Sequence, residues 1–92
     1  MSYTLKYTSQ FKKDYKRSKK QGKDITLLVE TLEKLMNDEE LGVHFYDHYL
    51  TGNFAGFREC HLKPDWILIY HKDKKTKRIT LTRLGSHSEL FY

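Results

Sequence analysis

The sequence holds one cysteine, one proline and one tryptophan in 92 residues. The lone Cys60 excludes an intramolecular disulfide and a cysteine-rich zinc site. No apolar run approaches the ~20 residues that cross a bilayer, and the opening MSYTLKYTSQ lacks the apolar core of a secretory signal. A cytoplasmic chain without a membrane partner is therefore expected. No linker, repeat or low-complexity tract divides the chain, and its length suits one domain spanning residues 1–92. What is present argues against disorder. Aromatics make up 14% and hydrophobic residues 38%, enough for a small core.

Charge is unevenly distributed. The net +5 hides a basic segment, residues 1–23 at +7, an acidic one, 24–47 at −6, and a basic second half, 48–92 at +4. Solvated helix faces account for any single cluster. The two basic segments together suggest a surface for a polyanion, because lysines and arginines displace counterions from phosphates. Charge alone does not separate nucleic acid from an acidic protein.

Local pattern supplies an order of elements. Tyr3 to Tyr7 alternates like a strand. Thr8 or Ser9 can cap a helix in which Phe11 and Tyr15 share a face. Gly22 breaks that helix, and Asp24 can cap another whose Ile25, Leu28, Val29, Leu32, Leu35 and Met36 follow the amphipathic spacing. Residues 41–53 read as loop. Phe57 to Leu62 alternates, Lys63-Pro64-Asp65 is a turn, and Trp66 to Tyr70 is nearly continuous in apolar residues, as a strand covered on both faces is. Asp73 to Thr76 makes a second turn, Arg78 to Leu84 alternates again, and His87 to Tyr92 is left as a short tail. The expected class is α+β, in the order βααβββ, with a helical hairpin on one side of a mainly antiparallel sheet. The long connection permits parallel pairing for the first strand.

Topology draws chemically competent residues together. His61 and Asp65 flank the hairpin turn, and the strand antiparallel to Trp66's ends beside it, so His61, Asp65, Trp66, Arg83 and His87 should converge. The preceding loop is long enough to bring His48 to them. Such a set suits RNA cleavage without a metal or cofactor. A base takes the 2′-hydroxyl proton, an acid protonates the leaving 5′-oxygen, and a cation steadies the phosphorane. Trp66 suits core or base stacking, and periodicity favours core. His44 and His48 lie four apart, but no glutamate completes an H-E-x-x-H pattern. Cys60 alternates onto the face of Leu62, a buried position.

Asp47-His48-Tyr49-Leu50-Thr51-Gly52, Gly56 to Tyr70 and Arg83 to Phe91 closely resemble the YafQ branch of the RelE/ParE toxin superfamily. The shared pattern is D-H-x-L-x-G, R-x-x-H-x-x-P-D-W-I-L-I-Y and G-[ST]-H-x-x-L-F. The resemblance implies a toxin of a bacterial toxin–antitoxin operon, cutting mRNA at the ribosome and held by a cognate antitoxin in a hetero-oligomeric complex. It implies a catalytic set of His48, His61, Asp65, His87 and Phe91, with Trp66 beside them. Tyr49 is the one departure, since a proline commonly follows the first histidine. On this reading His48 is the base and His87 the acid, or the two in reverse order, His61 and Asp65 orient them, and Arg83 stabilises the phosphate. Trp66, Arg58 and Lys63 contact substrate, while Lys12, Lys13, Lys16, Arg17, Lys19 and Lys20 face ribosomal RNA. The competing expectation is a non-enzymatic toxin, either a gyrase poison like the ParE relatives or a ribosome-occluding binder. A toxin that has lost its activity and only binds its antitoxin is the third.

Overall fold

The computed structural model describes residues 2–91. Strand β1 (Thr4–Tyr7) leads into helix α1 (Ser9–Lys20), capped by the Thr8 hydroxyl, which accepts from the Phe11 amide at 2.9 Å. Helix α2 (Ile25–Met36) starts at Asp24, whose carboxylate accepts from the Leu27 amide. Its buried stripe runs through Leu28, Thr31 and Leu35, with Ile25 and Leu32 partly covered. Val29, expected in that stripe, lies on the flank and is half exposed; Thr31 is buried instead, its hydroxyl bonded to the Leu27 carbonyl.

The rest of the chain builds the sheet. A two-residue strand β2 (His48–Tyr49) precedes β3 (Arg58–Lys63), β4 (Trp66–Asp73) and β5 (Arg78–Gly85). Spatial order is β1-β5-β4-β3-β2, with β1 parallel to β5 and the other pairs antiparallel. The expected α+β class and βααβββ frame hold. Short 3-10 turns at Val43–Phe45 and Gly52–Phe54 and the strand β2 lie inside or at the end of the segment read as loop, and a terminal helix α3 (His87–Phe91) stands in place of a tail.

Helix α3 forms because Ser86 and Glu89 make a reciprocal capping box. The Ser86 hydroxyl accepts from the Glu89 amide, and the Glu89 carboxylate accepts from the Ser86 amide at 2.8 Å. The S-x-x-E spacing is visible in the sequence and is the signal for this helix.

Both faces of β4 are covered, as its apolar run requires. Trp66, Leu68 and Tyr70 pack toward the helices with Phe11, Leu28, Leu35, Cys60, Leu81 and Leu84. Ile67 and Ile69 point the other way, under Leu90 of α3 and Leu50, Phe54 and Phe57 of the β2–β3 loop. That loop is thereby tied across the sheet.

Beyond Tyr7, β1 no longer covers the edge of β5, and α1 takes over. The Asp14 carboxylate accepts from the Leu84 amide at 2.9 Å, and the Arg17 guanidinium donates to the Leu84 carbonyl at 2.8 Å. The crossing is close at Gly85, where a Cβ would lie 2.7 Å from Arg17 Nη2 and would have to displace that guanidinium. Asp14 is fully buried and also accepts from Arg83 and Gln10. Burial works against its charge, but these donors outweigh it and hold its carboxyl below the usual aspartate value.

Candidate active site

The open end of the sheet, where β3 turns into β4 and β5 runs into α3, gathers three imidazoles and two carboxylates. Glu59 and His61 are two apart on β3 and so share a face. His48 on β2 lies directly across from Glu59. The geometry follows from this register: Glu59 Oε2 is 3.1 Å from His48 Nε2 and Oε1 is 3.4 Å from His61 Nε2. Glu59 is only 5% exposed, a buried carboxylate held between two rings. His87 opens α3 beside the β3–β4 turn, and Asp65 Oδ1 accepts from both its backbone amide, at 2.9 Å, and its Nδ1, at 2.8 Å. Those two bonds, the backbone one foremost, hold the Asp65 carboxyl below its ordinary value.

The rings form a file. His48 and His61 have centroids 6.5 Å apart, His61 and His87 5.5 Å, and His87 and Phe91 6.2 Å. His48, His61, Asp65, His87 and Phe91 therefore come together as expected, and His48 joins them by pairing in β2. Glu59 was not singled out in the sequence. Its signal was available: an acid two residues before a histidine on one face of a strand. Glu59, His61 and His87 also offer ligand atoms within 4.8 Å of one another, a donor set suited to a divalent cation.

The placement of His48 has its own support. Tyr70 donates its hydroxyl to Asp47 Oδ1 at 2.7 Å, and Arg58 Nε donates to the same oxygen at 3.1 Å. The Arg58 guanidinium also reaches the Asp47 carbonyl and lies 4.4 Å from the Tyr49 ring centroid. Arg58 is thus the anchor of the His48 segment, not the free substrate contact the sequence suggested. Tyr49, in the place of a loop-stiffening proline, stacks on that anchor.

Three further residues that the resemblance assigned to substrate or ribosomal RNA are engaged within the fold. Trp66 is 1% exposed and donates its indole N–H to Ser18 within the core, so it offers no face to a base. Arg83 is clasped by Asp14, Nε to Oδ2 at 2.8 Å, and is committed to α1 rather than to the histidines. Arg17 is partly covered, within 3.1 Å of Glu89 and bonded to the β5 edge, whereas Lys12, Lys13, Lys16, Lys19 and Lys20 are exposed along α1. Lys63 is exposed on the same turn as Asp65. Cys60 is buried, and burial pushes its thiol well above the ordinary value, which removes it as a nucleophile.

A family model described as "Bacterial toxin of type II toxin-antitoxin system, YafQ" matches residues 3–92. The mRNA interferase toxin YafQ of Escherichia coli strain K12 is 38% identical over 88 residues, which span 95% of this chain and 94% of that protein. The structure resembles the toxin chain of the E. coli DinJ–YafQ toxin–antitoxin complex, with a TM-score of 0.90 at 34% identity and full coverage, 100%, of both chains. It is equally similar to a metal-bound toxin from Helicobacter pylori, with a TM-score of 0.91 at 43% identity, covering 99% of this chain and 100% of that one. Among the described residues no helix is long and apolar enough to cross a membrane.

Proposed function

We propose a function from this premise: the chain belongs to the YafQ family, the toxins of bacterial type II toxin–antitoxin systems. It is an endoribonuclease that cuts mRNA at the ribosome and so arrests translation, and a cognate antitoxin restrains it. The relatives' activity and the DinJ–YafQ assembly support this reading. The observation that carries it is the file of His48, His61 and His87 with Glu59 and Asp65 at one end of the sheet.

Of the two acid–base orders the sequence leaves open, the hydrogen bonds favour His87 as base and His48 as acid. Asp65 only accepts, so His87 Nδ1 donates to it and Nε2 is the nitrogen turned to substrate, which in the neutral ring carries the lone pair that a general base needs. His48 faces two acceptors, the Tyr46 carbonyl at 2.7 Å from Nδ1 and Glu59 at 3.1 Å from Nε2. When His48 carries both N–H groups it satisfies both acceptors, and in that form it is a proton donor. His87 Nε2 removes the 2′-hydroxyl proton, and the 2′-oxygen attacks phosphorus. His48, still held at Nδ1 by the Tyr46 carbonyl, turns its Nε2–H from Glu59 to the departing 5′-oxygen and gives it that proton as the P–O bond breaks. The products are a 2′,3′-cyclic phosphate and a 5′-hydroxyl. His61 lies between them and, with Lys63 on the adjacent turn, faces the charge that builds on the phosphorane.

Glu59→Gln removes the charge that orients His48 and is expected to slow cutting by about 10- to 100-fold, against the ~10²–10⁴ that an acid or base supplies. Single-turnover rates on a ribosome-bound message check it, and a wild-type rate would remove Glu59 from the site. The exposed lysines of α1 serve docking. Changing Lys12, Lys16 and Lys19 together to glutamine should lower the slope of log affinity against log salt by about 2 to 3, near one per phosphate contact. Ribosome co-sedimentation across salt concentrations measures that slope.

Primer extension on a defined message in a translating extract tests the function itself. Discrete cuts in register with codons are expected. Growth arrest with intact message would overturn the nuclease reading and leave a non-enzymatic binder, and no arrest at all would indicate an inactive toxin.

A further inference from the structure

We propose that Tyr46 is a base-stacking residue of this site, its open ring face taking the base on the 3′ side of the scissile phosphate. The proposal rests on the ribonuclease reading above and adds a substrate contact to it.

Tyr46 sits at the outer end of the file of rings. Its centroid is 4.1 Å from that of His48, at 32°, and 5.7 Å from that of His61, nearly edge-on. One side of the ring is thus against the histidines, yet 63% of the residue is exposed. A groove of about 370 Å³ opens beside it, lined by Glu40, Leu41, Val43, Asp47 and Arg58. An aromatic face, a groove of base size and an exposed acceptor at Glu40 are the features that hold an unstacked base.

The backbone holds the ring in this place. Tyr46 has φ 46° and ψ 52°, a left-handed conformation uncommon for any residue with a Cβ. It persists because both peptide groups are engaged: the amide donates to the Val43 carbonyl at 3.0 Å, and the carbonyl accepts from His48 at 2.7 Å. The same turn therefore fixes the general acid and presents the aromatic ring next to it.

The 3′ assignment follows from that adjacency. His48 protonates the 5′-oxygen, which belongs to the nucleotide 3′ of the cut, and Tyr46 is the ring against His48. At the opposite end Phe91, 38% exposed and 6.2 Å from His87, lies beside the residue that activates the 2′-hydroxyl of the 5′ nucleotide. The two aromatic ends bracket the scissile dinucleotide. Trp66, buried in the core, takes neither place.

The test uses four messages differing only at the base 3′ of one cut site, in a translating extract, with wild type, Tyr46→Leu and Tyr46→Phe. Leucine keeps the backbone carbonyl that holds His48 and, unlike a β-branched residue, tolerates the left-handed turn. Tyr46→Leu is expected to cut about 10-fold or more slowly where that base is a purine and less than 3-fold more slowly where it is a pyrimidine, since the larger ring stacks over more area. Tyr46→Phe keeps the ring and restores cutting. A wild-type rate in Tyr46→Leu overturns the proposal, as does an equal loss at all four bases, which marks a structural role. Wild type that cuts none of the messages would bring down the nuclease reading and this one with it, a result distinct from either.

Discussion

His87→Ala is expected to cut message at least about 100-fold more slowly than wild type, with little change in stability. Proton transfer by a positioned imidazole contributes about 10²–10⁴ in rate, and of the three histidines of the file His87 has the shortest contact to a carboxylate, 2.8 Å from Nδ1 to Asp65. Its side chain is 46% exposed and fills no part of the core, so truncation opens no cavity. The backbone bond from the residue 87 amide to Asp65 survives the change, and the Ser86–Glu89 capping box keeps α3 in place. Primer extension in the translating extract, beside a thermal melt of the purified variant, separates the two effects. Full cutting by a folded His87→Ala chain would remove this residue from the chemistry. Low cutting accompanied by a lowered melting temperature would make its role structural. Antitoxin binding should be unaffected, which a pull-down with the cognate partner checks.

Asp14→Asn is expected to show the opposite profile, a large loss of stability caused at the contact of α1 with β5. The carboxylate is fully buried and answers Arg83, Arg17, the Leu84 amide and Gln10 at once. Removing its charge leaves two arginines facing a neutral amide, and breaking a buried pair in this way costs about 3 kcal/mol. For a domain of this size that lowers the melting temperature by roughly 15 °C. The pH dependence has a definite sign. The folded carboxyl titrates below its unfolded value of about 3.9. Its contribution is therefore complete above that value and is lost as pH falls through the folded one. Urea denaturation of both chains at pH 7 and pH 3 should show a wide gap at neutrality that narrows in acid. A gap independent of pH would mean that packing, and not the charge, is what Asp14 supplies.

Arg83 shows how the sequence could mislead here. An arginine just before the final motif, at the end of a strand leading to a histidine, invites assignment to the phosphate. What the sequence does not display is Asp14, 69 positions earlier, buried at the point where β1 stops and α1 must satisfy the edge of β5. Arg58 misled in the same way, because its partners Asp47 and Tyr70 meet only once β2, β3 and β4 have paired. A charged side chain reads as available until the fold supplies its counter-ion. Trp66 was legible as core because its neighbours are apolar on both faces of the strand.

Local physics written in the sequence determined most of the frame: the capped helices, the doubly covered β4, the α+β class and the meeting of His61, Asp65 and His87. Helix caps, strand alternation and turn chemistry are interactions between near neighbours, so their signals lie within a few residues. Tertiary structure alone decided which groups are free to act. The pairing of His48 with Glu59, the turn that presents Tyr46, and the capture of Arg58 and Arg83 join residues from separate elements. The reason is physical: a buried charge must find a partner wherever the chain brings one, and sheet register settles that choice.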